Sequence, residues 1–233
     1  MVENKTSLHI VFVDEQRSEH NKFQRVFKQE ILTKDVSVTP LLPCQTIDEM
    51  IELIISYHPD ALVVDWNLND IKTEGVGYNV GYTGSDLVKE FLSVRNKFPC
   101  FIATSLDEDA SKAYSTFDVN MIYPKSSSFD ENISNEQILT FKDKVLLQIN
   151  KYKTLIEDKE VRFEELLNKK RSEQDLTYDD ELELRSLDSF LEAAIDNRAK
   201  TPDDLKEITN TKKLDSLLTS VNSLLERINK YES

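Results

Sequence analysis

Between residues 8 and 125, short apolar runs alternate with amphipathic stretches, and that alternation leaves few folds open. The run ALVV at 61–64 is the clearest. Four consecutive apolar residues bounded by polar ones read as a strand buried on both faces, the condition of a parallel sheet covered by helices. LHIVFV (8–13), CFIA (100–103) and NMIY (120–123) read in the same way. VSVTPLL (36–42) reads as a short strand that Pro40 pushes toward a sheet edge or an early end. Between these runs, Phe23, Val26, Phe27 and Leu32 lie near helical spacing. TIDEMIELIISYH (46–58) has a capping box in Thr46 and Glu49 and an apolar face of Ile47, Met50, Ile51, Ile54 and Ile55. SDLVKEFLSV (85–94) and DEDASKAYSTF (107–117) complete the set of expected helices. The pattern predicts an α/β fold, a doubly wound five-stranded parallel sheet between helices.

From residue 134 the character changes. Ser134 with Gln137 offers a capping box, followed by Val145, Ile149, Tyr152, Ile156, Phe163 and Leu166 on one helical stripe. A second helix begins after Thr177, with Leu184, Leu187, Leu191 and Ala194. A third has Thr201 as N-cap, Pro202 at the first helical position, Asp203 and Asp204 in the first turn, and a stripe of Leu214, Leu217, Val221, Leu224 and Ile228. The division is therefore an α/β domain at 1–133 and an all-α tail at 134–233, a helical bundle or coiled coil. Apolar stripes of this kind are packing seams, closed either within one chain or between two.

The strand ends carry the chemistry. Asp65 closes the third run, Asp14 and Glu15 follow the first, Thr104 and Ser105 the fourth, and Lys125 the fifth. An acid inside a strand layer costs several kcal/mol unless paired, so the carboxyl edge, where open α/β sheets keep their ligand crevice, is the place for it. A solvated loop acid or a helix cap is the plainer alternative for Asp65. With the strand ends converging, three carboxylates repel one another and favour a divalent cation between them. Oxygen ligands alone point to magnesium. Lys125 supplies a point charge and Thr104 a hydroxyl donor for phosphoryl oxygens. Such a site suits an aspartate that accepts a phosphoryl group.

HIVFVDEQ (9–16), PDALVVDWNLND (59–70), FPCFIATS (98–105) and MIYPKS (121–126), in that order, resemble the signature blocks of the receiver domain of bacterial two-component response regulators. The resemblance covers about residues 7–133 and implies a flavodoxin-like receiver fold. It further implies Asp65 as phosphoacceptor, Asp14, Glu15 and Asp65 as metal ligands, and a backbone carbonyl of Asn67 for the same metal, Mg2+. Thr104 and Lys125 take the family's hydroxyl and phosphate-binding positions. The implied partner is a histidine kinase or phosphotransfer protein of a two-component or phosphorelay pathway, without enzymatic turnover by the chain itself. Three departures stand out. The chain has Pro124-Lys125-Ser126 where the family has Lys-Pro, and Ile122, beside Tyr123, where the family has an aromatic. The glycine that follows the phosphoacceptor closely in the family is best matched by Gly84, nineteen residues on, so residues of about 71–84 are inserted. All four glycines of the chain, Gly75, Gly77, Gly81 and Gly84, lie there with Tyr78 and Tyr82. The stretch reads either as a tolerated surface insertion or as a lid or docking element beside Asp65.

Charge and composition set the partners. The formal charge is −14. Residues 1–133 hold 12 basic and 21 acidic residues (−9) and the remainder 17 and 22 (−5), so neither half has the surplus that phosphate-backbone binding needs, and no nucleic-acid partner is expected. No apolar run approaches the ~18 residues that span a bilayer, and no membrane partner is expected. The amino terminus lacks the marks of a signal peptide, and Cys44 and Cys100 sit in apolar sequence, which fits a reduced cytoplasmic setting. His9, His20 and His58 form no zinc spacing with them. The tail holds no histidine, which excludes a histidine phosphotransfer bundle. By elimination the tail acts through a protein output partner or self-association. Two alternatives remain: a receiver-like scaffold independent of phosphorylation, and a small phosphohydrolase. The second would want an acid two residues after Asp65, where the chain has Asn67.

Overall fold

The computed structural model describes residues 7–69, 77–105, 117–129, 139–172, 176–202, 206 and 216–223. Five strands, β1 (Leu8–Val13), β2 (Val36–Leu41), β3 (Ala61–Asp65), β4 (Cys100–Thr104) and β5 (Ile122–Pro124), form one sheet in the order β2-β1-β3-β4-β5. Every pairing is parallel. This is the flavodoxin-like order, so the receiver-type fold that the resemblance implies is the one observed. The chain leaves β1 toward β2 and returns to β3 on the other side. The winding direction thus reverses between β1 and β3, which opens a crevice at their carboxyl ends. Val13 pairs with Val64, Asp65 with Ala103 and Thr104 with Pro124, so the residues just past β1 and β5 stand near the level of Asp65. Pro40 lies in the edge strand opposite Phe12, where its missing N–H is tolerated.

Burial follows the apolar runs. Every residue of β3 and β4 is buried, as the continuous runs predict for strands covered on both faces. Helix α1 (Arg17–Val26) contributes Phe23, whose ring stacks on Phe12 at 4.2 Å. A short helix α2 (Lys28–Leu32) follows it directly. Helix α3 (Ile47–Ser56) starts on the expected Thr46–Glu49 capping box and buries Met50, Ile51 and Ile54. Helix α4 spans Gly84–Val94 and buries Leu87, Val88 and Phe91. One expected core residue departs: Leu32 is 74% exposed. Phe27 interrupts the helical run at φ −103, ψ 16, and that break rotates the residues after it off the shared stripe. Phe27 itself stays fully buried.

After the one-turn helix α5 (Lys125–Ser128) come α6 (Phe141–Arg171) and α7 (Tyr178–Asp196), and residues 216–223 are helical. The described residues fall into two compact units. One holds those up to Leu92 with those of Pro99–Ile149, so the first turns of α6 belong to the sheet's unit, where Phe141, Val145 and Ile149 join the core of Ile10, Val63 and Phe101. The other holds Ser93–Phe98 and the described residues from Asn150 to 223. Within it Tyr152, Ile156, Phe163, Leu166, Leu184, Leu187, Leu191, Ala194, Leu217 and Val221 are buried inside the one chain. Thr177 caps α7 in a box with Asp180, and Arg162–Glu183 and Lys169–Asp180 ion pairs join α6 to α7. The expected helix at 107–117, apart from Phe117, the Ser134–Gln137 box, the 133/134 boundary, residues 71–76 of the insertion, and Asp203, Asp204, Leu214, Leu224 and Ile228 lie outside the described residues. Thr140 exchanges hydrogen bonds with Asp143 just ahead of α6, a cap the sequence reading passed over.

Candidate functional site

Asp14 and Glu15 follow β1, Asp65 ends β3 and Lys125 follows β5; all four are buried. The Lys125 ammonium donates to Asp14 Oδ2 at 2.7 Å and lies 2.7 Å from Asp65 Oδ1, bridging carboxylates from two different strands. One oxygen each from Asp14, Glu15 and Asp65 lies within 4.8 Å of the others. Pro124 precedes Lys125 with β-region angles, and the lysine's first-turn position in α5 directs its side chain into the pocket without a following proline.

The backbone around the pocket is tightly held. Asp14 N–H donates to Leu41 O at the end of β2, and Asp14 Oδ1 accepts from Gln16 N–H at 2.8 Å. The Asp14 carbonyl accepts from His20 Nε2 at 2.9 Å. His20 was not singled out from sequence as part of the site. Its signal was its place on the face of α1 that carries Phe23, the other buried residue of that helix. Trp66 N–H donates to Ala103 O at 2.7 Å, and Gly84 N–H to Trp66 O at 2.8 Å. A β-carbon at Gly84 would collide with the Asp65 carbonyl oxygen and lie 2.8 Å from Asp65 C and Val64 Cγ1. Only glycine allows α4 to start this close to the end of β3. Thr104, the last residue of β4, is buried one position beyond the partner of Asp65, and Asn67 is half-buried two residues past it. Tyr123 turns away from the pocket: its hydroxyl donates to Asn120 O at 2.8 Å, and its ring packs on Phe141 at 4.9 Å beneath the Lys144 ammonium. Ile122, at the family's aromatic position, is buried.

Three carboxylates share one ammonium. Burial pushes the Asp65 carboxyl up to about 8; Lys125 opposes this, while Asp14 and Glu15 add to it. Burial likewise raises Asp14 against the pull of Lys125, and raises Glu15, with Asp14 beside it adding to the rise. For Lys125 burial works downward, but Asp65 and Asp14 outweigh it and the ammonium is held above its ordinary range. Among the described residues, the buried Glu15 Oε2 has no hydrogen-bond partner. An all-oxygen set short of positive charge, with one orphaned carboxylate oxygen, fits a hard divalent cation such as magnesium.

No protein-family model and no curated protein matches the chain. Among solved structures it is similar to the anti-anti-sigma factor PhyR from Bartonella quintana, at 10% identity and TM-score 0.42 over 66% of this chain and 52% of that one. The chain thus spans about half the length of that neighbour. It is also similar to the RcsB response regulator of Salmonella typhimurium, described for conformational dynamism in DNA interaction. That alignment has 11% identity and TM-score 0.39 over 95% of this chain and 91% of that one. At this level of superposition the fold rests on the sheet's own order and register, not on either neighbour.

Proposed function

We propose that the chain is a phosphoacceptor protein of the response-regulator type, phosphorylated on Asp65 by a histidine kinase or phosphotransfer protein. One observation carries the reading: Lys125 reaches Asp14 and Asp65 at 2.7 Å each, so residues from three separate strand ends meet in one buried pocket. In the transfer, an Asp65 carboxylate oxygen attacks phosphorus. The bond from phosphorus to the donor's imidazole nitrogen breaks, its electron pair stays on the donor, and an acyl phosphate forms on Asp65. The Lys125 ammonium exchanges its Asp65 contact for a phosphoryl oxygen, and the Thr104 hydroxyl donates to another. A magnesium ion held by Asp14, Glu15, Asp65 and the Asn67 backbone carbonyl would supply the charge that keeps Asp65 ionised and neutralises the phosphoryl oxygens. Burial raises the Asp65 carboxyl, and a protonated carboxyl is a poor nucleophile, so the reaction is expected to depend on the cation.

The chain ends the reaction covalently modified, so it is a signalling acceptor and not a turnover enzyme. Its helical unit transmits the state to a protein partner or a second copy, and the acidic balance of both halves argues against nucleic acid. Among the described residues no helix is long and apolar enough to cross a membrane. Intact-protein mass spectrometry with acetyl phosphate and magnesium tests the reading. A gain of about 80 Da, the mass of one phosphoryl group, is expected in the native chain and absent in Asp65→Ala. No gain with any small or protein donor would overturn it. A second reading, a receiver-like scaffold that assembles without phosphate, is favoured by the Asp14–Lys125–Asp65 pairing, which already neutralises part of the pocket. The same assay separates the two.

A further inference from the structure

Over residues 77–84 the insertion after β3 docks through two tyrosines on the loop after β2 and ends on the site at Gly84. Val80 and Tyr82 are buried. Tyr78 Oη donates to Pro43 O at 3.0 Å and Tyr82 Oη to Cys44 O at 2.9 Å, two consecutive carbonyls in the loop after β2. That loop is itself fixed: Cys44 N–H points to Met50 Sδ at 3.4 Å, Met50 is fully buried, and the Thr46–Glu49 box starts α3 directly afterwards. The chain then runs from Tyr82 straight into the site. Thr83 N–H and Oγ1 both donate to Asp86 Oδ2, at 3.0 and 2.7 Å, which sets the start of α4. The next residue is Gly84, hydrogen-bonded to Trp66 O and pressed against the Asp65 carbonyl.

The geometry points to Tyr78 and Tyr82 as positioning residues that clamp the chain entering α4, which presses on the end of β3 at Asp65, to the loop after β2. Strand β1, which delivers Asp14 and Glu15, lies between β3 and β2 in the sheet. The clamp therefore ties the start of α4, whose Gly84 bonds Trp66 O and presses on the Asp65 carbonyl, to the far side of β1, and through Gly84 it is expected to steady the spacing between Asp65 and its neighbours. Tyrosine suits the task because a ring can be buried while its hydroxyl still reaches a carbonyl. Phenylalanine would keep the ring packing and leave those carbonyls without their donors. Of the two readings that the sequence left open for the insertion, the Tyr78 and Tyr82 contacts favour a docked element over a merely tolerated surface loop.

This assignment rests on the phosphoacceptor reading, and its test is built to fail separately. Trp66, the single tryptophan of the chain, adjoins Asp65 and reports on the site by fluorescence. Magnesium chloride is titrated into the full-length native protein and into the Tyr78→Phe/Tyr82→Phe variant, and the rate of mass gain from acetyl phosphate is followed in both. The variant is expected to bind magnesium about fivefold more weakly or worse, the scale of one net hydrogen bond, and to recover its rate at saturating magnesium. A variant that melts earlier yet keeps the native magnesium affinity and rate makes the hydroxyls merely structural and overturns the assignment. Should the double variant not fold, Tyr78→Phe alone is expected to show the same shift in smaller measure, and an unchanged affinity there overturns the assignment equally. A native protein with neither magnesium response nor mass gain removes the phosphoacceptor reading and the clamp's role with it. A responsive native protein with an indistinguishable double variant removes the clamp alone.

Discussion

Asp65 concentrates the account at the scale of a residue, because burial lifts its carboxyl to about 8. In the unfolded chain such a group titrates at about 4. Between those values the folded state holds the extra proton, so stability falls as pH rises: the contribution is complete below about pH 4 and lost above about pH 8. Asp14 and Glu15 shift the same way and add to the slope. Magnesium-free native protein is thus expected to lose folding free energy between pH 5 and 8 relative to Asp65→Asn, by an amount on the order of 1–3 kcal/mol, with a falling melting temperature as its sign. Parallel melting curves for the two proteins across that range would contradict the burial of a charged cluster. Gly84 makes the second residue-scale prediction. Gly84→Ala places a methyl group against the Asp65 carbonyl and Val64, so a loss of about 1–3 kcal/mol or more in unfolding free energy is expected from urea denaturation, together with weaker magnesium binding. The carboxylates and the lysine were legible as strand-end residues, because apolar runs locate strand ends well. The aim of the Lys125 side chain was not, since the direction a side chain takes where a strand passes into a helix is set by tertiary packing and not by the residue pattern. His20 was missed because its partner is a backbone carbonyl, which leaves no trace in the residue pattern.

Among elements, the sequence reading succeeded where one local rule acts alone. Continuous apolar runs gave the buried strands, Pro40 the edge strand, and Thr46 and Thr177 the starts of α3 and α7. It failed where two local signals compete. Phe23, Val26, Phe27 and Leu32 looked like one helical stripe, but the break at Phe27 is a tertiary compromise that buries Phe27 and turns Leu32 out. Sequence alone also could not say whether the tail's apolar seam closes within one chain, a question of tertiary packing that the buried stripes of the second unit answer. The Thr177–Asp180 box has a measurable consequence. Thr177→Ala removes the acceptor for the Asp180 N–H and is expected to lower stability by about 1 kcal/mol in chemical denaturation. A change below a few tenths would mean that α7 is held by packing alone. At the same scale, the tyrosine hydroxyls of the insertion gave no warning that both would find neighbouring carbonyls.

At the scale of the molecule, a chain of charge −14 gathers, among the described residues, three buried carboxyl groups at the carboxyl edge of a five-stranded sheet. Under the proposed function, magnesium binding there is coupled to folding. At a magnesium concentration about a hundredfold above its dissociation constant, the melting free energy is expected to rise by about 2.7 kcal/mol, and chelation by EDTA to reverse the gain. The gain should be larger at pH 8 than at pH 5.5, because the raised carboxyls must release protons to take the cation. Equal gains at both pH values would place the cation elsewhere. The identity of the acceptor is the point on which everything else turns, and borohydride reduction followed by peptide mass mapping addresses it directly. Reduction converts an aspartyl phosphate to homoserine. After treatment with acetyl phosphate and magnesium, homoserine is predicted at position 65 and nowhere else, and only when magnesium is present; homoserine at another aspartate, or at none, would contradict the account.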